Sequence, residues 1–273
     1  MQGRPGRQSL RETCKRLVPQ LIHAIRFGRL LINQAKFPIA GAVLDWEGKV
    51  QGGPFKGMRQ ARSGGAPYAT LLGTYELSLA PVVEQVIARR PDLIVNVGAA
   101  AGYYAMGFAW RCPNTKVIAY EADATRRALI AKYVRINGQT DRVDLRGLCT
   151  VEQLEATLSG KAGAFLLMDV EGGEDALLKP DISDIDQTEI LVELHEMFVP
   201  GITQRLQERF CKTHRTAIIK QADLAGVLPP PGLEKKLGPF GTRLWPKLAR
   251  EPHEHQMTWM HMVPRPDDLS RKV

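Results

Sequence analysis

The sequence predicts an α/β protein: a mostly parallel seven-stranded sheet with helices on both faces, preceded by a helical and glycine-rich extension. Three observations lead there. From about residue 74 onward, short apolar runs alternate with stretches of helical periodicity. The runs ("LIVNV", "FLLM", "EILV") are apolar on consecutive positions, which suits strands covered on both faces. The first of them opens into a bare turn, "GAAAG", the kind of strand-to-helix junction found at the ligand end of such sheets.

The elements follow in order. Apolar residues at Leu17, Val18, Leu21, Ile22, Ile25, Leu30 and Leu31 recur at helical spacing. Residues 37–66 are glycine-rich and read as short strands or loops. "GTYELSLAPVVEQVIARR" predicts a helix opening near Thr74 as N-cap and closing at Arg89 and Arg90. "DLIVNVG" is a strand and Ala101–Trp110 a helix; "KVIAYE" is a strand and Ala124–Ile136 a helix stopped by Asn137-Gly138. Then come "RVDLRG" with helix Val151–Leu158, "AFLLMDV" with the short helix Glu174–Leu178, "TEILVEL" with helix Thr203–Phe210, and "TAIIKQ". A Pro- and Gly-rich insertion at 221–255 separates these from a last strand, "MTWMHMV". The chain thus divides into a basic extension, residues 1–70, and a sheet domain, residues 71–273.

Charge sharpens that division. The formal net charge is +8, and the first 62 residues hold twelve Lys and Arg against Glu12, Asp45 and Glu47, which leaves the rest near neutral. A basic arm suits phosphates, anionic sugars or a membrane surface, and a homodimer contact through the N-terminal extension is one expectation. No aromatic-basic interleaving marks a nucleic-acid surface, so a small-molecule partner is expected. No apolar run approaches the ~20 residues of a membrane span, and the N-terminus lacks the apolar core of a signal peptide. Cys14, Cys112, Cys149 and Cys211 are scattered without a C-x-x-C pair and read as reduced thiols of a cytoplasmic protein.

The chemistry concentrates at predicted strand ends. Gly98 permits a sharp turn, Ala99 to Ala101 keep side chains short, and Gly102 lets the next helix start close to the strand. That helix offers free amides and a positive dipole end. Glu121, 23 positions beyond Gly98, ends the second strand, where a carboxylate can accept hydrogen bonds from both ribose hydroxyls of an adenosine cofactor. NAD and S-adenosylmethionine both carry that ribose. The glycine spacing is not G-x-G-x-x-G, so it suits the amino-acid tail of S-adenosylmethionine better than a pyrophosphate, without excluding an NAD-dependent oxidoreductase.

"VNVGAAAGYYAMGFA", "VIAYEAD", "LLMDVEGGEDALL" and "ILVELHE" together resemble S-adenosylmethionine-dependent class I methyltransferases, over about residues 71–220. "DVEGGE" and "VELHE" are most similar to the FkbM family, which methylates hydroxyls of sugars and secondary metabolites. The resemblance implies a Rossmann-like fold and a cofactor site in which Gly98, Ala99, Gly102 and Tyr103 line the methionine portion, Glu121 holds the ribose, Gly147 and Leu148 lie near adenine, and Asp169 stands close to the amino group or the acceptor. One position departs: Asn96 stands where the family has an aspartate. Glu76, in "GTYE", is a candidate for the missing carboxylate or a helix-start acid, and a catalytically degenerate binding protein stays open.

An alcohol acceptor needs its proton removed by a base in hydrogen-bond reach, or acidified by a metal. "VELHE" offers Glu193 and His195 on one strand face. His195 is the expected general base, with Asp169 or Glu171 orienting it or the acceptor. Glu174 reads as a helix N-terminal acid. Magnesium on Asp169, Glu171 and Glu193 is the alternative, since oxygen ligands suit it and some O-methyltransferases hold a metal at these strand ends. His214 is read as packing near the pocket, His253, His255 and His261 as dispersed, and Lys56 and Arg59 as a possible grip for an anionic acceptor or a solvated turn.

Overall fold

The computed structural model describes residues 48–60, 68–221 and 257–266, with Pro229, Lys235 and Trp245. The predicted helix at 17–31, Cys14, His253, His255, nearly all of the 221–255 insertion and any dimer contact through the arm lie outside the described residues.

The described elements are α1 (Tyr68–Leu72), a 3-10 turn (Leu77–Leu79), α2 (Ala80–Arg89), β1 (Leu93–Val97), α3 (Tyr103–Arg111), β2 (Lys116–Tyr120), α4 (Ala124–Ile136), β3 (Val143–Arg146), α5 (Val151–Leu158), β4 (Phe165–Met168), α6 (Glu174–Leu177), a second 3-10 turn (Ile185–Gln187), β5 (Glu189–Glu193), α7 (Ile202–Phe210), β6 (His214–Lys220) and β7 (Thr258–Pro264). They form one seven-stranded sheet in the order β3-β2-β1-β4-β5-β7-β6. Strands β1 to β5 pair in parallel, and β7 enters antiparallel between β5 and β6. This is the mostly parallel seven-stranded sheet that the sequence predicts. Strand order reverses at β1, which has β2 on one side and β4 on the other, so a crevice opens at its C-terminal end.

Alternation along the strands fills two cores. Ile94, Leu167, Leu191 and Trp259 point into one, beneath α2, α3 and α4. Val95, Val97, Leu166, Met168, Ile190 and Val192 point into the other, beneath α5 and α7. The helices start and stop where their caps dictate. Asp123 accepts from the amides of Thr125 and Arg126 and starts α4, and Thr150 and Gln153 form a reciprocal capping box on α5.

One reading changes. Thr74 does not cap a helix; its hydroxyl bonds the Ala69 carbonyl, Glu76 takes a left-handed backbone, and α2 begins at Ala80 with Pro81 in its first turn, where a missing amide costs nothing. Within the glycine-rich stretch, residues 48–60 take the short pairing and turns that the sequence predicts. They close on themselves through a Lys49–Arg59 bridge and drive Phe55 into the core against Tyr103, Tyr104 and Phe108. Phe55 is fully buried, and Gly107 is bare because the Phe55 ring occupies the space of its side chain. Burial of one phenylalanine stabilises by about 1.5–3 kcal/mol, so this segment is part of the sheet domain's packing.

Candidate active site

The loop after β1 is built by close approach. Gly98 has φ +80°, and a Cβ there would overlap the Asp169 carbonyl oxygen, so only glycine lets the end of β1 press against the end of β4. The amides of Gly98 and Ala99 both donate to the Tyr120 carbonyl, at 2.9 Å each. Ala100 is held at φ +48°, a costly conformation for a residue with a side chain. Its amide donates to Glu121 Oε2 at 2.7 Å, while Asp123 N donates to Oε1 at 2.8 Å. Glu121, almost fully buried, thus ties the β1 loop to the end of β2. Gly102, at φ +85°, starts α3 with Ile130 packed where its side chain would be. Gly147 and Leu148 follow β3 at the same end of the sheet; nothing crowds Gly147, and Leu148 is 67% exposed.

Asn96 lies one row below. It pairs in register with Ala119 on β2 and Leu167 on β4, inside an apolar row, and is 1% exposed. Neither Oδ1 nor Nδ2 has a hydrogen-bond partner. Such a buried amide costs free energy unless something pairs with it. Above this face sits Glu76, 3% exposed and at φ +44°, accepting a 2.6 Å hydrogen bond from the Tyr104 hydroxyl. Burial and the Glu76 charge push the Tyr104 phenol well above its ordinary range, so it stays a donor. Glu76 and Tyr103 line a narrow cleft with Pro54, Phe55, Tyr75 and Tyr104. Glu76 stands at the start of the 3-10 turn Leu77–Leu79 as an interior side chain that makes no cap hydrogen bond to it.

The ends of β4 and β5 carry the densest chemistry. Asp169 and Glu193 each follow the Met168–Val192 register pair by one residue, so they stand side by side. His195, 6% exposed, lies two positions beyond Glu193. Its Nδ1 is 2.7 Å from Glu174 Oε1, which also accepts from the amides of Val170 and Gly172 at 3.2 and 3.3 Å. Its Nε2 faces three carboxylates: Glu171 at 3.5 Å, Asp169 at 3.6 Å and Glu193 at 3.7 Å. Glu171 reaches in from a left-handed backbone, φ +53°, and is otherwise exposed. Phe198 stacks on the imidazole with centroids 5.8 Å apart.

The charges sort accordingly. Burial opposes ionisation of His195, but the Glu174 hydrogen bond and the Asp169, Glu174 and Glu171 charges outweigh it and raise its pKa. Burial likewise works against Glu174, yet its bond to His195 and two backbone amides hold it below the usual carboxylate range. Asp169 and Glu193 are both pushed upward by burial, and Glu193 further by the Asp169, Glu76 and Glu171 charges. Two neighbouring buried carboxyls in that state retain a proton between them.

The sequence-predicted residues therefore gather at one end of the sheet: Glu121, Gly98, Ala99, Gly102 and Tyr103 around the first loop, and Asp169, Glu171 and His195 around the imidazole. Asp169, Glu171 and His195 offer ligand atoms within 4.8 Å of one another. The imidazole in that set departs from the all-oxygen site magnesium favours. His214 lies away from the cluster, buried against Phe210 with Nε2 on the Thr188 carbonyl at 2.9 Å. His261 pairs with Glu189 at 2.8 Å, at the opposite end of β5. Lys56 and Arg59 are exposed, and the Arg59 backbone is anchored by Asn137. Cys112 and Cys149 are buried free thiols, the latter pushed to about 12 by burial, and Cys211 is exposed. Sequence reasoning missed the roles of Glu174, Tyr104 and Phe198. The spacing of Glu174 within "DVEGGE" was visible, but its partner was not.

No family model matches the chain, and neither does any curated sequence. Solved structures do match in fold. An O-methyltransferase, TomG from Streptomyces achromogenes, in complex with SAM, aligns at TM-score 0.44 and 14% identity over 74% of this chain and 82% of that one. An O-methyltransferase from Bacillus cereus in complex with SAH gives 0.44 and 12% over 75% and 84%. A methyltransferase from Geobacter sulfurreducens gives 0.44 and 14% over 69% and 78%. At this distance the functional reading rests on the chain's own residues.

Proposed function

We propose that the protein is an S-adenosylmethionine-dependent methyltransferase that methylates a hydroxyl of a small molecule, such as a sugar or secondary metabolite. The observation that carries the reading is a convergence at one sheet end: the bare β1 loop tied to Glu121, the unpaired Asn96 amide beneath it, and His195 ringed by carboxylates beside it. The motifs "DVEGGE" and "VELHE" support the FkbM-like assignment within that class.

In this reading Glu121 holds the ribose hydroxyls with the lone pairs that its two backbone amides leave over. Gly98, Ala99 and Gly102 leave room for the methionine portion, Tyr103 walls it, and Gly147 and exposed Leu148 flank the adenine. Asn96 and Glu76 face the amino-acid end. Glu76 supplies from the α2 side the negative charge that Asn96 lacks. When bound, the cofactor supplies an electrophilic methyl on a positively charged sulfur, a charge that suits an acid-rich cleft. Asp169 and Glu171 hold the acceptor, and His195 Nε2 receives its proton. Holding the reactants in line is worth about 7–11 kcal/mol of barrier at best, and general-base help roughly 10²–10⁴-fold in rate. Among the described residues no helix is long and apolar enough to cross a membrane, and a cytoplasmic setting fits the free thiols.

The test is calorimetric titration with S-adenosylhomocysteine and with NAD. Saturable binding of the first alone supports the reading. Binding of NAD alone would point to an oxidoreductase, and binding of neither to a scaffold that has lost its cofactor.

A further inference from the structure

We propose that Glu174 is a positioning residue that fixes the tautomer of His195, so that Nε2 presents its lone pair to the cleft. The assignment of Nε2 as the atom that takes the acceptor's proton rests on the methyltransferase reading; the placement of the ring does not. In that reaction the acceptor O–H bond breaks with its proton passing to Nε2, the oxygen gains the methyl, and the sulfonium sulfur keeps the bonding pair.

Two features of the cluster oppose each other. On the Nε2 side the imidazole makes no hydrogen bond, but three carboxylate oxygens stand 3.5 to 3.7 Å away. Left to themselves they would draw the ring proton to Nε2, and the lone pair would turn inward to Nδ1. On the Nδ1 side stands Glu174, fully buried, with Oε1 at 2.7 Å. That oxygen is itself fixed, because the amides of Val170 and Gly172 both donate to it. It cannot rotate away, and as a carboxylate it can only accept, so Nδ1 must carry hydrogen. Stacking on Phe198 fixes the remaining freedom, the plane of the ring. A helix-start role does not account for this geometry: α6 is four residues long, and the carboxylate points at an imidazole 21 positions further along the chain.

The test is long-range proton–nitrogen NMR of the ¹⁵N-histidine-labelled protein at alkaline pH, where the ring is neutral. The His195 signals are identified by their loss in His195→Gln. Glu174→Gln keeps an oxygen where the two amides demand one; Glu174→Met keeps the volume and removes the acceptor. Wild type and Glu174→Gln are expected to show the Nδ1–H form, and Glu174→Met the Nε2–H form. A wild-type ring in the Nε2–H form, or a Glu174→Met ring that stays Nδ1–H, would overturn the proposal. If Glu174→Met does not fold, the wild-type and Glu174→Gln tautomers decide it. Calorimetry with S-adenosylhomocysteine on the same wild-type sample tests the methyltransferase reading separately, so either idea can fail without the other.

Discussion

Replacing Asn96 by leucine separates stability from function. The side chain is 1% exposed in an apolar row between Ala119 and Leu167, and both of its polar atoms lack partners. An amide buried without hydrogen bonds costs about 1–3 kcal/mol by mutational measures. Leucine has the same branched outline without the polar atoms but is bulkier, so Asn96→Leu is expected to stabilise the cofactor-free protein by at most about 1–3 kcal/mol. For a domain of this size that raises Tm by up to several degrees. The same change removes a donor and an acceptor from the amino-acid end of the proposed cofactor site. A hydrogen bond to a charged partner contributes about 1.5–3 kcal/mol, so affinity should fall roughly ten- to hundredfold. Urea denaturation of the free protein and calorimetry with S-adenosylhomocysteine read the two effects. A variant that is less stable and binds as well as wild type would refute the reasoning: Asn96 would then be a structural residue whose amide is satisfied within the protein. Asn96→Asp should do the reverse, tightening binding of the cationic cofactor while destabilising the free protein through a buried charge.

Further outcomes follow from the same geometry. Gly98→Ala drives a methyl into the Asp169 carbonyl from a left-handed backbone, so it should destabilise by several kcal/mol, about 3 or more, and abolish cofactor binding; chemical denaturation and calorimetry check it. Phe55→Ala should cost about 3–5 kcal/mol of the sheet domain's stability; a loss below roughly 1 kcal/mol in urea melts would mean the 48–60 segment packs only loosely. Glu193 has a folded-state pKa raised above its unfolded value, chiefly by burial. The folded protein therefore keeps a proton that the unfolded chain releases, and Glu193 lowers stability increasingly as pH rises above the ordinary carboxylate range. Glu193→Gln mimics the protonated form, so urea midpoints across acidic to neutral pH should fall less steeply in that variant than in wild type.

Much of the architecture was legible because its causes are local. The bounds of α4 and α5 follow from Asp123, Asn137-Gly138 and Thr150, all next to the helices they delimit. The strands follow from uninterrupted apolar runs. What the sequence did not show has a different origin. Thr74 has the chemistry of a cap, but Pro81 and the left-handed Glu76 move the helix start downstream. The burial of Phe55 was hidden because it fills a space that Gly107 on α3 leaves open. In the site, Glu121 was recognisable from its distance to the loop. Glu174 was not, because an acid at a helix start is common and its partner lies on the next strand of the sheet. Pairings across the fold, rather than residue types, were what the sequence left hidden.

The central claim is that the ends of β1, β2, β4 and β5 form one S-adenosylmethionine site. Its most direct test is calorimetric titration of wild type and Glu121→Leu with S-adenosylhomocysteine. Wild type should bind one equivalent per chain, and Glu121→Leu should bind at least tenfold more weakly through loss of the ribose hydrogen bonds. No binding to the wild-type protein, or equal binding to both, would contradict the account.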